Sequence, residues 1–197
     1  MFNFENAEVS KGNYKETIKP GICITKVTSI TNGLSTQKQT PYLEFTVEDS
    51  HGAELKQQYY LSTVVNPGKQ KSAWDISKNA ILALVAASNN LDEATAKTKM
   101  PNAKSAEELA QKLAMLVIGK EFRLKVNGEE KISQKGTKYV ASSFGNGVFC
   151  ESKAIAEADS KLFFNADKNI KKLAIEPATD NAPQAGFSSP AADSVTF

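Results

Sequence analysis

Tyr42-Leu-Glu-Phe-Thr-Val-Glu-Asp-Ser-His-Gly-Ala-Glu-Leu-Lys-Gln-Gln-Tyr-Tyr-Leu61 is the most informative stretch of this sequence. Leu43, Phe45 and Val47 alternate with Tyr42, Glu44 and Thr46, the period of two that a half-buried strand requires. Asp49-Ser-His-Gly52 then supplies a tight turn. Beyond it, Leu55, Tyr59 and Leu61 alternate with Lys56, Gln58 and Tyr60. The stretch predicts a β-hairpin with one apolar face and one polar, aromatic face.

Working outward, the text before the hairpin is also β-rich. Ile22, Ile24 and Val27 read as a first strand from Pro20, and Thr31-Asn-Gly-Leu-Ser-Thr-Gln-Lys-Gln-Thr-Pro41 as a long polar loop. After the turn signal Asn66-Pro-Gly68, Ser72 and Asp75 form a capping box, with Trp74, Ile81, Leu84 and Val85 at helical spacing. A second box, Ser105 and Glu108, opens a helix through Leu109, Leu113, Leu116 and Val117. Between the two helices, residues 89–104 read as a polar connection broken by Pro101. Phe122, Leu124 and Val126 mark a fourth strand, residues 128–136 a loop, and residues 137–144 a fifth strand. Ile155, Ala158, Leu162, Ile170 and Leu173 suggest a closing amphipathic helix.

Strand, strand, strand, helices, strand, strand is the element order of the OB-fold, a five-stranded Greek-key barrel. The organisation expected is a polar arm at residues 1–17, with Phe2, Phe4 and Tyr14 as anchors, and an OB-like domain at 18–150. A helical insertion at about 72–118 lies between strands 3 and 4 of that domain. A C-terminal helix at 151–174 and a disordered Pro/Ala/Ser-rich tail at 175–197 complete it. In an OB-fold the loops joining strands 1–2 and 4–5 flank a ligand groove across strands 2 and 3. Tyr42 and Tyr60 would then face that groove as base-stacking rings, with Lys56 as a phosphate contact. As a plain cross-strand pair they would instead stabilise the hairpin. Lys38, Lys69 and Lys71 lie in loops beside the groove, and Arg123, Lys125, Lys135 and Lys138 in a second basic stretch. Trp74 and Tyr139 are further stacking candidates, with a core position as the alternative for Trp74.

Composition agrees with a polyanion partner only after the chain is divided. Of the 197 residues, 24 are Lys or Arg and 22 Asp or Glu, a formal charge of +2. Residues 174–197 hold Glu176, Asp180 and Asp193 and no base, so the body before them carries 24 bases against 19 acids (22 − 3), about +5, and the tail −3. Arg123 is the one Arg, so the chain can hold phosphates as point charges but has little equipment for bidentate base reading. No apolar run approaches the roughly 20 residues of a membrane span. Met1-Phe-Asn-Phe-Glu-Asn6 has no basic and apolar leader pattern, which gives a cytoplasmic expectation. Cys23 and Cys150 are expected as free buried thiols.

Catalysis has little to stand on. His51 is the single histidine and falls in a turn, which removes His-based nucleophile systems and multi-histidine metal sites. Glu107-Glu108 and Glu129-Glu130 leave a carboxylate-only metal nuclease as a formal alternative. No enzyme activity, metal or cofactor is expected.

Gly21-Ile-Cys-Ile24, Thr40-Pro-Tyr-Leu-Glu-Phe45, Gln58-Tyr-Tyr-Leu61 and Val117-Ile-Gly-Lys-Glu-Phe-Arg-Leu124, with the tail ending in Phe197, resemble the single-stranded DNA-binding proteins of bacteriophages and, more loosely, of bacteria. The resemblance implies an OB-fold, sequence-nonspecific binding of single-stranded DNA, and a role in replication or recombination in a host bacterial cytoplasm. It also implies a terminal peptide, here Asp193 and Phe197, that docks on replication or recombination proteins. Tails of the family carry several acids before the final Phe, whereas here Asp193 stands alone near it. A non-catalytic structural or adaptor protein of a virus is the alternative.

Overall fold

The computed structural model of the protein describes residues 15–145 and 148–173. The expected arm anchors Phe2, Phe4 and Tyr14 and the tail residues Asp193 and Phe197 lie outside them. The hairpin is present as β2 (Pro41–Asp49) and β3 (Glu54–Tyr60), antiparallel and without a register shift. Asp49 closes its turn: Oδ1 accepts the N–H groups of His51 and Ala53, both at 2.9 Å, and Gly52 takes φ +82°. Leu43, Phe45, Val47, Leu55 and Tyr59 are buried as the alternation requires.

β1 (Gly21–Leu34) is longer than its sequence suggests. Thr31–Leu34, expected in a loop, pair with β2, which leaves only residues 35–40 as the connection. Gly33 reads as turn punctuation but serves close packing instead. A Cβ there would lie 2.7 Å from the Tyr42 ring. β4 (Glu121–Ile132) overshoots in the same way, pairing with β5 (Lys138–Phe144) along Gly128–Ile132, so the expected loop shrinks to residues 133–137. At Gly128 a Cβ would come within 2.7 Å of Val140 Cγ1 and 2.8 Å of Pro20 Cγ.

β1 is shared between two partners. Gly21–Lys26 pair with β4 and Thr25–Leu34 with β2, and a register irregularity between Val27 and Ser29 marks where the strand passes from one to the other. Such bulges bend a strand and raise its twist. The main sheet runs β3-β2-β1-β4-β5. Where a five-stranded barrel is expected, the sheet has seven strands, mostly antiparallel, and is not closed into a barrel: among the described residues no ladder joins β3 to β5. Only side chains span that seam, with the Tyr59 and Phe144 ring centroids 6.4 Å apart.

Three helices fill the interval between β3 and β4: α1 (Ala73–Asn89), α2 (Glu93–Lys99) and α3 (Ala106–Val117). The Ser72–Asp75 box caps α1 reciprocally, and Asn90 in the left-handed conformation ends it. The stretch expected as a plain connection thus contains α2, capped by Asp92. Ile81, Leu84 and Val85 of α1 and Leu113 and Val117 of α3 meet Phe45, Phe122 and Leu124 of the sheet, all essentially inaccessible. Full burial of each contributes about 1.5–3 kcal/mol. Exposed ion pairs contribute about 0–1 kcal/mol each. The core therefore dominates stability.

The expected C-terminal helix at 151–174 is also corrected. The chain instead forms β6 (Cys150–Ser152), a short 3-10 turn at Glu157–Asp159, a four-residue helix α4 (Ala166–Asn169) and β7 (Ile170–Lys171). β6 and β7 both pair with β4. Hydrogen bonds pin this strap: Ser160 Oγ and the Lys161 N–H donate back to Glu151 of β6 at 2.5 and 3.0 Å, and Asn169 Nδ2 donates to Asn127 Oδ1 of β4 at 3.1 Å. These partners lie on the sheet, so the helical spacing of the apolar residues is overridden by tertiary contacts. No helix among the described residues is long and apolar enough to cross a membrane.

Candidate nucleic-acid interface

The outward face of the hairpin extends onto β1. Pairing places Gly33, Tyr42 and Tyr60 in one row across three strands, Thr31, Glu44 and Gln58 in the next, and Ser29, Thr46 and Lys56 in a third. Tyr42 and Tyr60 stand edge to face with centroids 6.0 Å apart, and Tyr60 is 38% exposed. Tyr42, half-buried, fills the space above Gly33. The cross-strand pair and the stacking platform expected from the sequence are thus the same two rings, with Tyr60 the more accessible.

A hydrogen-bonded chain crosses this face. The Tyr60 hydroxyl donates to Gln58 Oε1 at 3.1 Å, and Gln58 Nε2 donates to Glu44 Oε2 at 3.0 Å. Lys56 Nζ lies 3.5 Å from Glu44 Oε1. Lys56 keeps 62% of its side chain exposed, so its charge still reaches solvent.

Beside the platform lies a cleft of about 710 Å³, between the end of β3, the start of α1 and the end of β5. Gln58 and Tyr60 line one wall, Ser143 another, and Lys71 and Ile76 contribute from the connection and from α1. Ile76, 63% exposed, was not singled out from sequence. It falls off the stripe of Ile81, Leu84 and Val85, and an apolar residue off the stripe was the available signal. The α1 N-terminus offers no anion site here. Asp75 accepts from Ser72 Oγ at 2.6 Å, from the Ser72 N–H at 3.1 Å and from Lys78 at 2.6 Å. Lys78 foremost, then Ser72, hold its carboxyl well below the usual range.

The remaining candidates divide. Lys38, Lys69 and Lys71 are exposed in the loops at residues 35–40 and 61–72, and form no ion pair among the described residues. Lys135 and Lys138 are likewise exposed and unpaired, and Tyr139 is 48% exposed, at the loop end of β4–β5. Lys125 is half-buried on β4, where Gly145 leaves room for its side chain: a Cβ there would meet Lys125 Cε at 2.6 Å. β1 separates it from the hairpin.

Two candidates are otherwise engaged. Arg123 faces Glu151 across the β4–β6 ladder with Nη1 3.2 Å from Oε1, at side-chain exposures of 16% and 6%. Burial alone would push the Glu151 carboxyl up, but the hydrogen bonds from Ser160, Lys161 and Arg123 outweigh it and hold it below the ordinary range. Arg123 is a clamp on the strap. Trp74 is half-buried against the core, in a separate groove of about 830 Å³ with Pro41, Leu61 and Met100. The stacking role assigned to it from sequence does not sit on the platform.

Elsewhere, Cys23 and Cys150 are free, and burial pushes their thiols up to about 11 and about 12. Both flank Leu124 on its two neighbouring strands. His51 is exposed in the hairpin turn. Among the described residues no group of three or more His, Cys, Asp or Glu side chains converges. No protein-family model matches the chain, and no curated protein sequence matches it either.

Proposed function

We propose that the protein is a non-catalytic binder of single-stranded DNA that coats transient strands in phage-type replication and recombination. The observation that carries this reading is the tyrosine pair on the outward face of β2–β3, with Lys56 on the same face and Lys71 across the adjoining cleft. Stacking on such rings contributes about 1–3 kcal/mol per base and tolerates any base, while lysines follow the phosphates. The finer fold assignment belongs with this reading. An order of three strands, helices and two strands, a bent β1 shared by two hairpins and an open seam fit a partly open Greek-key barrel of OB type. On the same reading, Asp193 and Phe197 contact replication or recombination proteins.

The test is a fluorescence-anisotropy titration of a labelled oligo-dT at two salt concentrations. The expected outcome is an affinity that falls steeply with salt, by about 0.7 in log K per log salt for each phosphate neutralised. Tyr60→Ala combined with Lys56→Ala should cost at least about tenfold, with the melting curve little changed. Salt-independent binding, or full affinity in the double variant, would refute the groove assignment. Absence of any binding at low salt would turn attention to the viral structural or adaptor reading.

A further inference from the structure

The centre of the platform holds a carboxylate, which is an odd group to place where phosphates are expected to pass. Glu44 stands in the row next to the tyrosine pair, its side chain 22% exposed. A surface pair of this kind with Lys56 contributes about 0–1 kcal/mol, too little to explain the position by stability. Its geometry suits a different task. Oε2 accepts one hydrogen bond from Gln58 and Oε1 only a loose contact from Lys56, while a carboxylate has room for about four. The row therefore presents an acceptor, Glu44, beside a donor, the Gln58 amide, with the Lys56 ammonium in the next row.

Gln58 is two residues from Tyr60 along β3, about 6.8 Å, and Glu44 stands diagonally across on β2, about 7–8 Å away. These spans match the half-width of a pyrimidine with its substituent plus one hydrogen bond of about 2.9 Å. A base stacked on Tyr60 thus brings its edge to Glu44 and Gln58. Both pyrimidines can meet an acceptor beside a donor, cytosine through N4–H and N3 and thymine through N3–H and O4, but the N4–H of cytosine has an acceptor on one side only. Thymine offers N3–H between two carbonyl oxygens, so a carboxylate reaching that proton meets a like partial charge on either side.

We infer that Glu44 is a specificity-determining residue that makes the platform prefer cytosine to thymine at the Tyr60 position. The inference rests on the single-strand reading above and adds a base preference to it. Glu44 also repels the phosphates it lies among, so discrimination is obtained at some loss of overall affinity.

The test compares labelled oligo-dC with oligo-dT on the full chain, at fixed moderate salt and about pH 8, where cytosine N3 is unprotonated. Pyrimidine oligomers are chosen because purine strands stack on themselves. The native protein should bind oligo-dC about fivefold more tightly. Glu44→Met should bind both oligomers more tightly and lose the preference. Equal binding by the native protein, or a preference that survives in Glu44→Met, would overturn the inference while leaving the single-strand reading intact. No binding of either oligomer would overturn both. If Glu44→Met does not fold, Glu44→Ala takes its place, and a preference that survives in that variant overturns the inference.

Discussion

Two glutamates on the outward side of the sheet have been put to opposite uses. Glu151 on β6 and Glu44 on β2 each stand beside a cation and a neutral donor, Arg123 with Ser160 in one case and Lys56 with Gln58 in the other. Over Glu151 the strap closes, supplying the Ser160 hydroxyl and the Lys161 N–H, and both charges lose nearly all their exposure. Nothing comparable covers Glu44 among the described residues, and Lys56 stays open. The same pair of residue types is a clamp where a later segment seals it and a presented surface where none does.

Removing the sealed cation gives the largest effect. Arg123→Ala leaves a buried carboxylate without its counter-charge and should cost about 2–4 kcal/mol in urea denaturation at pH 7, somewhat less than a fully buried pair because Arg123 is partly exposed. The native Glu151 carboxyl is held low, so its contribution is complete above the unfolded value of about 4.3 and is lost as pH falls through the lower native value. The gap between the variant and the native protein should accordingly narrow in denaturation below about pH 4. A gap that stayed constant with pH would break the comparison. Next, Lys69→Ser with Lys71→Ser, two lysines outside any described ion pair, should lower the salt slope of oligo-dT binding by about 1.4 and leave the melting temperature unchanged. The smallest effect on stability belongs to the open pair: Glu44→Ala should lower the unfolding free energy read from urea denaturation by no more than about 0.5 kcal/mol. A loss as large as that of Arg123→Ala would show that the two pairs are not different in kind.

The open half of this contrast was legible in the sequence and the sealed half was not, for physical reasons. The alternation of Leu43, Phe45 and Val47 with Tyr42 and Glu44 sorted these residues between the two faces of β2, because a period of two leaves no freedom once one face is buried, although Thr46, expected outward with them, is buried as well. Ser72 with Asp75 and Ser105 with Glu108 announced two helix starts, since a cap is a local arrangement within four residues. Gly33 and Gly128 misled. They read as turns, yet both lie within strands, Gly33 next to the end of β1 and Gly128 inside β4, and leave room for Tyr42 and for Pro20 and Val140. Ile155, Ala158, Leu162, Ile170 and Leu173 misled in the other direction. Their helical spacing competes with bonds to Glu151 and Asn127, which local periodicity cannot register. Arg123 was assigned to phosphate for the same reason, as its partner is 28 residues away.

The double allegiance of β1 bears on how the chain acquires its shape. Its contacts with β2, and those of β2 with β3, close over short loops and can form as soon as residue 60 has been made. Its contacts with β4 join Gly21 to Val126 and must await the intervening helices. On a ribosome adding about 5–20 residues per second, the three-stranded meander would wait several seconds with one flank of β1 unpaired. Ile22 and Ile24, still 43% and 47% exposed in the finished fold, lie on that flank. The nascent chain is therefore most vulnerable to mispairing along residues 21–24, in the interval before residue 126 emerges.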